Sequence, residues 1–388
     1  MNRSKNEKKL TRRTFVKEAS VTLAFSFSAP LFFSCGNSGS ASSLGVAVDG
    51  FDKALALMRE ANPVGNHGPM AAEALVALGR SDRLEAFVPS FLNSFSREMP
   101  PARIAINGSN WKEAIGQRRR ITDWKIFFEK EIDKNGWRQL VDKWSLILAP
   151  GLRGAATHGV IRTGHAVRSI QRNESQVRKL ELAQALGYWA AHYQTLPESK
   201  TEPSEKFEIA EAIEKIPVVP IDRVSKSGSV NRRMNALEGF EKFGKVTGYL
   251  ELSGDPETKI SELTAEFSKA YLNKVDNSNV VALVHMITSL ASIRTLVPIV
   301  SKKSANRLLF YGWQAAAGIY SVSGPIKGKD LYRSRTIKLS NDQLIEKAVN
   351  SNEVHAIKFT EACLREDKIR PSVFYRLAAE DAVTRLTR

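Results

Sequence analysis

The stretch Asn279-Val280-Val281-Ala282-Leu283-Val284-His285-Met286-Ile287-Thr288-Ser289-Leu290-Ala291-Ser292-Ile293-Arg294-Thr295-Leu296 decides the fold. Its apolar residues recur at helical spacing, which predicts a helix over 279–296. The same period recurs outward from it, over 51–62, 69–78, 124–133, 176–195, 260–272 and 342–349. Alternating, strand-like runs are few and short. One is 215–219, which carries Pro217 and is followed by Pro220, both unfavourable to a strand. No internal repeat is present. The pattern predicts an all-α, predominantly helical protein with a single large helical domain over 51–388. The segment 196–232 is rich in Pro, Ser, Glu and Lys and lacks a long apolar stripe. It reads as a long loop or as a boundary between two halves.

The chain has 388 residues, 43% of them hydrophobic and 25% charged, which excludes a disordered or fibrous class. Its two cysteines, Cys35 and Cys363, exclude a disulfide framework and a cysteine-based zinc finger. Cys363 reads as a buried structural thiol. No GxGxxG, GxxxxGK[ST] or GxSxG occurs, so a dinucleotide fold, a P-loop and a hydrolase elbow are unsupported.

Residues 1–34 read as an address. Seven basic residues stand against Glu7 and Glu18, and an uncharged stretch follows over 19–34. That stretch is shorter than the roughly 20 apolar residues a bilayer span takes. A basic flank with a short apolar core reads as an export signal. Thr11-Arg12-Arg13-Thr14-Phe15-Val16-Lys17 resembles a twin-arginine signal, implying the twin-arginine export machinery as a partner and a periplasmic or cell-envelope location. Phe32-Phe33-Ser34-Cys35 resembles a lipobox with Phe where Leu is usual, so 1–35 ends either at a lipidated, membrane-attached Cys35 or at simple cleavage nearby. Residues 36–50 then form a flexible linker. The whole chain carries a formal +16, and from Cys35 onward +11. The basic residues are scattered, and the densest run, Arg118-Arg119-Arg120, has no interleaved aromatics. A solvated basic surface is expected, and no nucleic-acid partner.

Only six histidines occur: His67, His158, His165, His192, His285 and His355. His67 lies in a Gly/Pro turn that opens an apolar helix. His158 and His165 share a helix face but stand about 10 Å apart in rise, so at most one of them can be a direct ligand of a given ion. His192 reads as a core-edge residue. His285 lies on an apolar helix, where both ring nitrogens must find partners, a metal or a buried hydroxyl or carbonyl. His355 and Lys358 fall on one face. A lysine beside a metal is useful only when neutral, or when CO₂ has converted it to an anionic carbamate. Each histidine alone reads more simply as structural. Together, four separate segments each present a histidine beside apolar residues or a turn, as helical bundles do when they build a metal site. Imidazole suits iron, copper, zinc and nickel alike. Tyr188, Trp189, Tyr193, Tyr311 and Trp313 can line an aromatic pocket, although such spacing more often marks core.

These motifs, in their order and spacing, resemble the questin oxidase-like family over roughly 50–385. The resemblance is carried by Asn66-His67-Gly68-Pro69-Met70, His158-Gly159-Val160-Ile161-Arg162 with Gly164-His165-Ala166, Leu186-Gly187-Tyr188-Trp189, Val284-His285-Met286-Ile287 and His355-Ala356-Ile357-Lys358. It implies a helical oxidoreductase that inserts oxygen into aromatic polyketide-like substrates such as anthraquinones, or cleaves their rings. Carried over position by position, it implies non-haem Fe(II) held by His67, His158, His285, His355 and carboxylated Lys358, with a small aromatic substrate and O₂ as partners. The family also contains NADPH-dependent Baeyer–Villiger-type oxidases, so a metal-free enzyme with NADPH as reductant is the alternative. A further alternative is a non-enzymatic exported ligand-binding protein. The sequence departs from the fungal pattern at Arg162, where a second histidine is usual, and at His165, where Tyr is usual; both bear on the substrate.

Overall fold

In the computed structural model, the residues described are 49–61, 67–94, 99–199, 205–225 and 228–387. The export signal of 1–35, Cys35 and nearly all of the 36–50 linker lie outside them. Asp49 and Gly50 belong to the first helix, because the Asp49 side chain accepts the Asp52 amide and caps it.

Among the described residues there is no strand, and thirteen helices have ten or more residues. They are α1 (Gly50–Glu60), α2 (His67–Ala77), α3 (Leu84–Ser94), α4 (Ile121–Asn135), α5 (Trp137–Leu148), α6 (His158–Arg172), α7 (Gln176–Ala191), α8 (Pro256–Lys274), α9 (Val280–Leu296), α10 (Lys302–Ser321), α11 (Asn341–Asn350), α12 (Val354–Ile369) and α13 (Val373–Leu386). The all-α expectation is met. Start signals explain many boundaries: Ser175, Asp255, Ser301 and Ser340 each accept an amide of the first turn of α7, α8, α10 and α11. Pro256 follows Asp255 at the first helical position, where its missing N–H costs nothing.

Helix α9 is the axis. All its residues except Val281 and Thr295 are buried, and it packs against α6, α8, α10 and α12. Its hydroxyls are satisfied within the helix: Thr288 donates to the Val284 carbonyl at 3.0 Å and Ser292 to Thr288 at 2.8 Å. A membrane-length apolar helix is thus the core helix of the bundle, 83% of its apolar window being covered by protein. Two glycines set how close α6 comes. A Cβ at Gly164 would meet the Ser292 carbonyl of α9 at 2.8 Å, and one at Gly159 would meet the Trp189 ring of α7 at 2.6 Å.

The segment 196–232 is not a boundary. Within it Ile209–Glu214 is helical, and Ile209, Ala212, Ile213, Ile216 and Val219 bury in the same core as α8 and α10. Lys215 to Val219 forms no strand; Val219 instead donates its N–H to the Ser321 carbonyl at 2.9 Å. Trp189 and Trp313 are core residues, and Trp313 donates to the Val246 carbonyl at 2.9 Å. Cys363 is a free, buried thiol.

Candidate functional site

Four helices bring His67, His158, His285 and His355 into one cluster. Ring centroids stand 4.7 Å apart for His67–His158, 4.8 Å for His67–His355, 4.7 Å for His158–His285 and 5.4 Å for His285–His355. One nitrogen each from His67, His158 and His355 lies within 4.8 Å of the others. Three nitrogens spread evenly around one ion at an ordinary metal–nitrogen length stand about 3.6 Å apart, so gathering all three takes a closure of about 1 Å or less.

Each imidazole is aimed by a local device. His67 and His158 are the first residues of α2 and α6, where side chains leave the helix end unobstructed by a preceding turn. Before His158 three successive non-glycine residues, Ala155, Ala156 and Thr157, hold φ of +49°, +55° and +68°. Left-handed backbone costs about 1–2 kcal/mol per such residue, so strain is concentrated where His158 is placed. The Nδ1 of His158 donates to the Ala155 carbonyl, and the Nδ1 of His285 to the Val281 carbonyl. Glu353 has two tasks. One oxygen caps α12 by accepting the Ala356 amide at 2.6 Å, and the other accepts the His355 Nδ1 proton at 2.8 Å. A carboxylate behind an imidazole in this way fixes its tautomer and raises its basicity as a ligand.

The decisive contact is between His158 and His285, whose Nε2 atoms face each other at 3.2 Å. With both Nδ1 protons committed to backbone carbonyls, both Nε2 atoms are bare lone pairs. Two acceptors at that distance repel unless a cation lies beside them. Two nitrogens bound side by side on one ion sit about 3.0–3.4 Å apart, so the pair fits a shared metal. The protonation states agree. Burial, then the Lys358 charge, holds His67 and His158 well below the usual imidazole range. Burial, then the neighbouring His158, does the same to His285. Burial also lowers His355 despite the opposing pull of Glu353. All four are neutral imidazoles at neutral pH, the form in which a ring nitrogen can bind a metal, and His67, His158 and His355 are the three whose nitrogens cluster closely enough to hold one.

Lys358, 4% exposed, sits 3.1 Å from the His67 Nδ1. Burial pushes its amine down to about 7. A neutral amine carries a lone pair that can accept the His67 Nδ1 proton or attack CO₂.

His165 stands outside the cluster. Its Nδ1 bonds Glu73 at 2.7 Å, so of the two histidines that the spacing keeps apart, His158 is the one in the cluster. Glu73 is 1% exposed; burial pushes it up, but Arg168, then His165, hold it well below the carboxylate range. Arg172 joins it at 2.8 Å, and Arg168 continues to Glu361. Nothing local in the sequence announces this buried network, because its members lie about ninety to two hundred residues apart. Arg162 is likewise occupied, bonded through two nitrogens to Glu181 at 2.6 and 2.8 Å.

The cluster forms the floor of a cavity of about 360 Å³, walled by Tyr188, His192, Asn231 and the Ala155–Ala156 backbone, with Arg118 at its rim. Tyr188 and His192 stack at 4.1 Å with 22° between rings. Of the five aromatics considered for a pocket, Tyr188 alone lines it. The basic run is not uniformly solvated: Arg118 and Arg119 are exposed, while Arg120 is buried on Asp123 and the Ile104 carbonyl.

An all-helical body with a histidine-floored cavity defines the class. A family model described as questin oxidase-like matches residues 65–363, so the chain belongs to the questin oxidase-like family, which points to an oxidase or oxygenase. A comparison with curated proteins returns no match.

Proposed function

We propose that the chain is a non-haem iron-dependent oxygenase acting on a small aromatic, polyketide-like substrate. The observation that carries the reading is the pair of facing Nε2 lone pairs on His158 and His285, 3.2 Å apart with no proton available to either. His67, His158, His285 and His355 would hold the ion, joined by Lys358. In the buried pocket the neutral Lys358 amine adds CO₂, forming an N–C bond and releasing one proton. The product carbamate supplies an anionic oxygen that offsets part of the ion's charge. Bound iron supplies the redox chemistry that lets O₂ react with an electron-rich ring. The stacked Tyr188–His192 pair offers that ring a flat wall. His192 donates its Nδ1 proton to the Tyr188 carbonyl at 2.9 Å and is pushed by burial down to about 4. Its Nε2 is therefore a neutral acceptor for a substrate hydroxyl. Residues 1–35 support export by the twin-arginine route, with Cys35 either lipid-attached or removed.

Metal analysis of the purified full chain tests the reading. Wild type is expected to carry iron near one equivalent per chain. His158→Ala and His285→Ala should each lose it while keeping the helical circular dichroism signal. Equal iron in wild type and variants overturns the assignment, as does a metal-free preparation that turns over with NADPH.

A further inference from the structure

The cavity above the histidines has an unbalanced wall. None of its lining residues is acidic, and Arg118 is its one permanent cation. The three arginines of the run have different fates. Arg119 reaches Gln117 at 3.3 Å and Arg120 is spent on Asp123 and the Ile104 carbonyl. Among the described residues no carboxylate pairs with Arg118. Its field adds to burial in lowering His192 and the buried Arg153, so its charge is felt inside the wall. Asn231 also lines the cavity, and its Oδ1 is buried without a donor. A positive rim, an unfilled acceptor and a flat aromatic wall occur together in a space of about 360 Å³, within the range that small-molecule sites occupy.

We propose that Arg118 is an anion-recognition residue, and that the ligand of this cavity is a flat aromatic acid. Its ring lies along Tyr188–His192, its carboxylate pairs with Arg118, and a ring hydroxyl donates to Asn231. The planar guanidinium suits a carboxylate through two parallel hydrogen bonds. This deepens the proposed oxygenase reading by naming the charge of its substrate, but the binding itself needs no metal.

The test is calorimetric titration of the full-length protein at pH 7 with 2-naphthoate, which is ionised, and 2-naphthol, which is neutral. Wild type is expected to bind the acid about tenfold more tightly than the phenol, the worth of one charged hydrogen bond. Arg118→Gln should abolish that preference, leave 2-naphthol affinity unchanged and leave the melting temperature and iron content at wild-type values. Arg119→Gln should change nothing. The proposal is overturned if wild type shows no preference for the acid, or if Arg118→Gln retains it. Repeating the titration after chelation separates the two readings. A preference that survives Arg118→Gln but vanishes with the metal places the carboxylate on the ion. A preference lost in Arg118→Gln with and without metal supports Arg118, whatever the iron analysis shows.

Discussion

Helices α2, α6 and α12 are polar at two levels, and the levels are built oppositely. At one level stand His67, His158, His355 and Lys358; about one to three turns further along the same helices stand Glu73, His165, Arg168 and Glu361. In the second set every charge is answered. Glu73 meets His165, Arg168 and Arg172, and Glu361 meets Arg168 and Arg365. In the first set, with His285, four imidazoles and an amine share one carboxylate, Glu353. Burial without pairing is costly, so the contrast separates a region finished within the chain from one whose buried nitrogens are not answered by it, the level at which we propose the ion binds.

The comparison can be broken from either side. The largest effect is expected at the finished level. Glu73→Gln strands buried guanidinium charge and should lower stability by about 3–5 kcal/mol in denaturant unfolding. A loss below about 1 kcal/mol would show that the network does not hold α2 to α6. At the incomplete level the sign reverses. Lys358→Met removes an amine held far below its ordinary range, and should stabilise metal-free protein by roughly 2–4 kcal/mol while abolishing iron binding. Because Lys358 stands at about 7 when folded against an ordinary 10.5, the unfolded chain holds the extra proton between those values. Stability therefore rises with pH across that window, and Lys358→Met should flatten the rise. The four histidines, also lowered, add a loss of stability as pH falls below about 6.5. A destabilised Lys358→Met, or an unaltered pH slope, contradicts the account. The smallest effect sharpens the contrast at the turn before His158. Ala156→Gly relieves a residue at φ +55° and should raise thermal stability by about 1 kcal/mol. Iron content should fall in the same variant, since His158 is anchored on the adjoining Ala155 carbonyl; unchanged iron would show that the strain does not position the ring.

What the sequence could show follows from how locally each feature is encoded. The apolar period of α9, like that of α1, α2, α4, α7, α8 and α11, is complete within a few residues, so these helices were legible, while the start at Asp255–Pro256 and the helices α3, α5, α10 and α13 were not read from it. His67, His158, His285 and His355 were legible as a set, because scarce imidazoles stood beside turns and apolar runs. The Glu73 network was not, since its pairs form only when α2, α6 and α12 pack. The turn before His158 was hidden for a different reason. Ala155-Ala156-Thr157 contains none of the Gly or Asn that announce left-handed backbone. Arg118 and Arg120, two places apart, part company because Arg120 meets Asp123 three residues on, whereas that Arg118 lines the cavity depends on how distant elements pack.

The ring anchors differ in what a gene can alter. The protons of His158 and His285 rest on main-chain carbonyls, which every residue type supplies, so no substitution at Ala155 or Val281 erases the acceptor itself. The proton of His355 rests on a side chain. Glu353 is therefore the one anchor of these three that a single codon change can retune, and drift or engineering that adjusts the strength of this centre without dismantling it has its handle there.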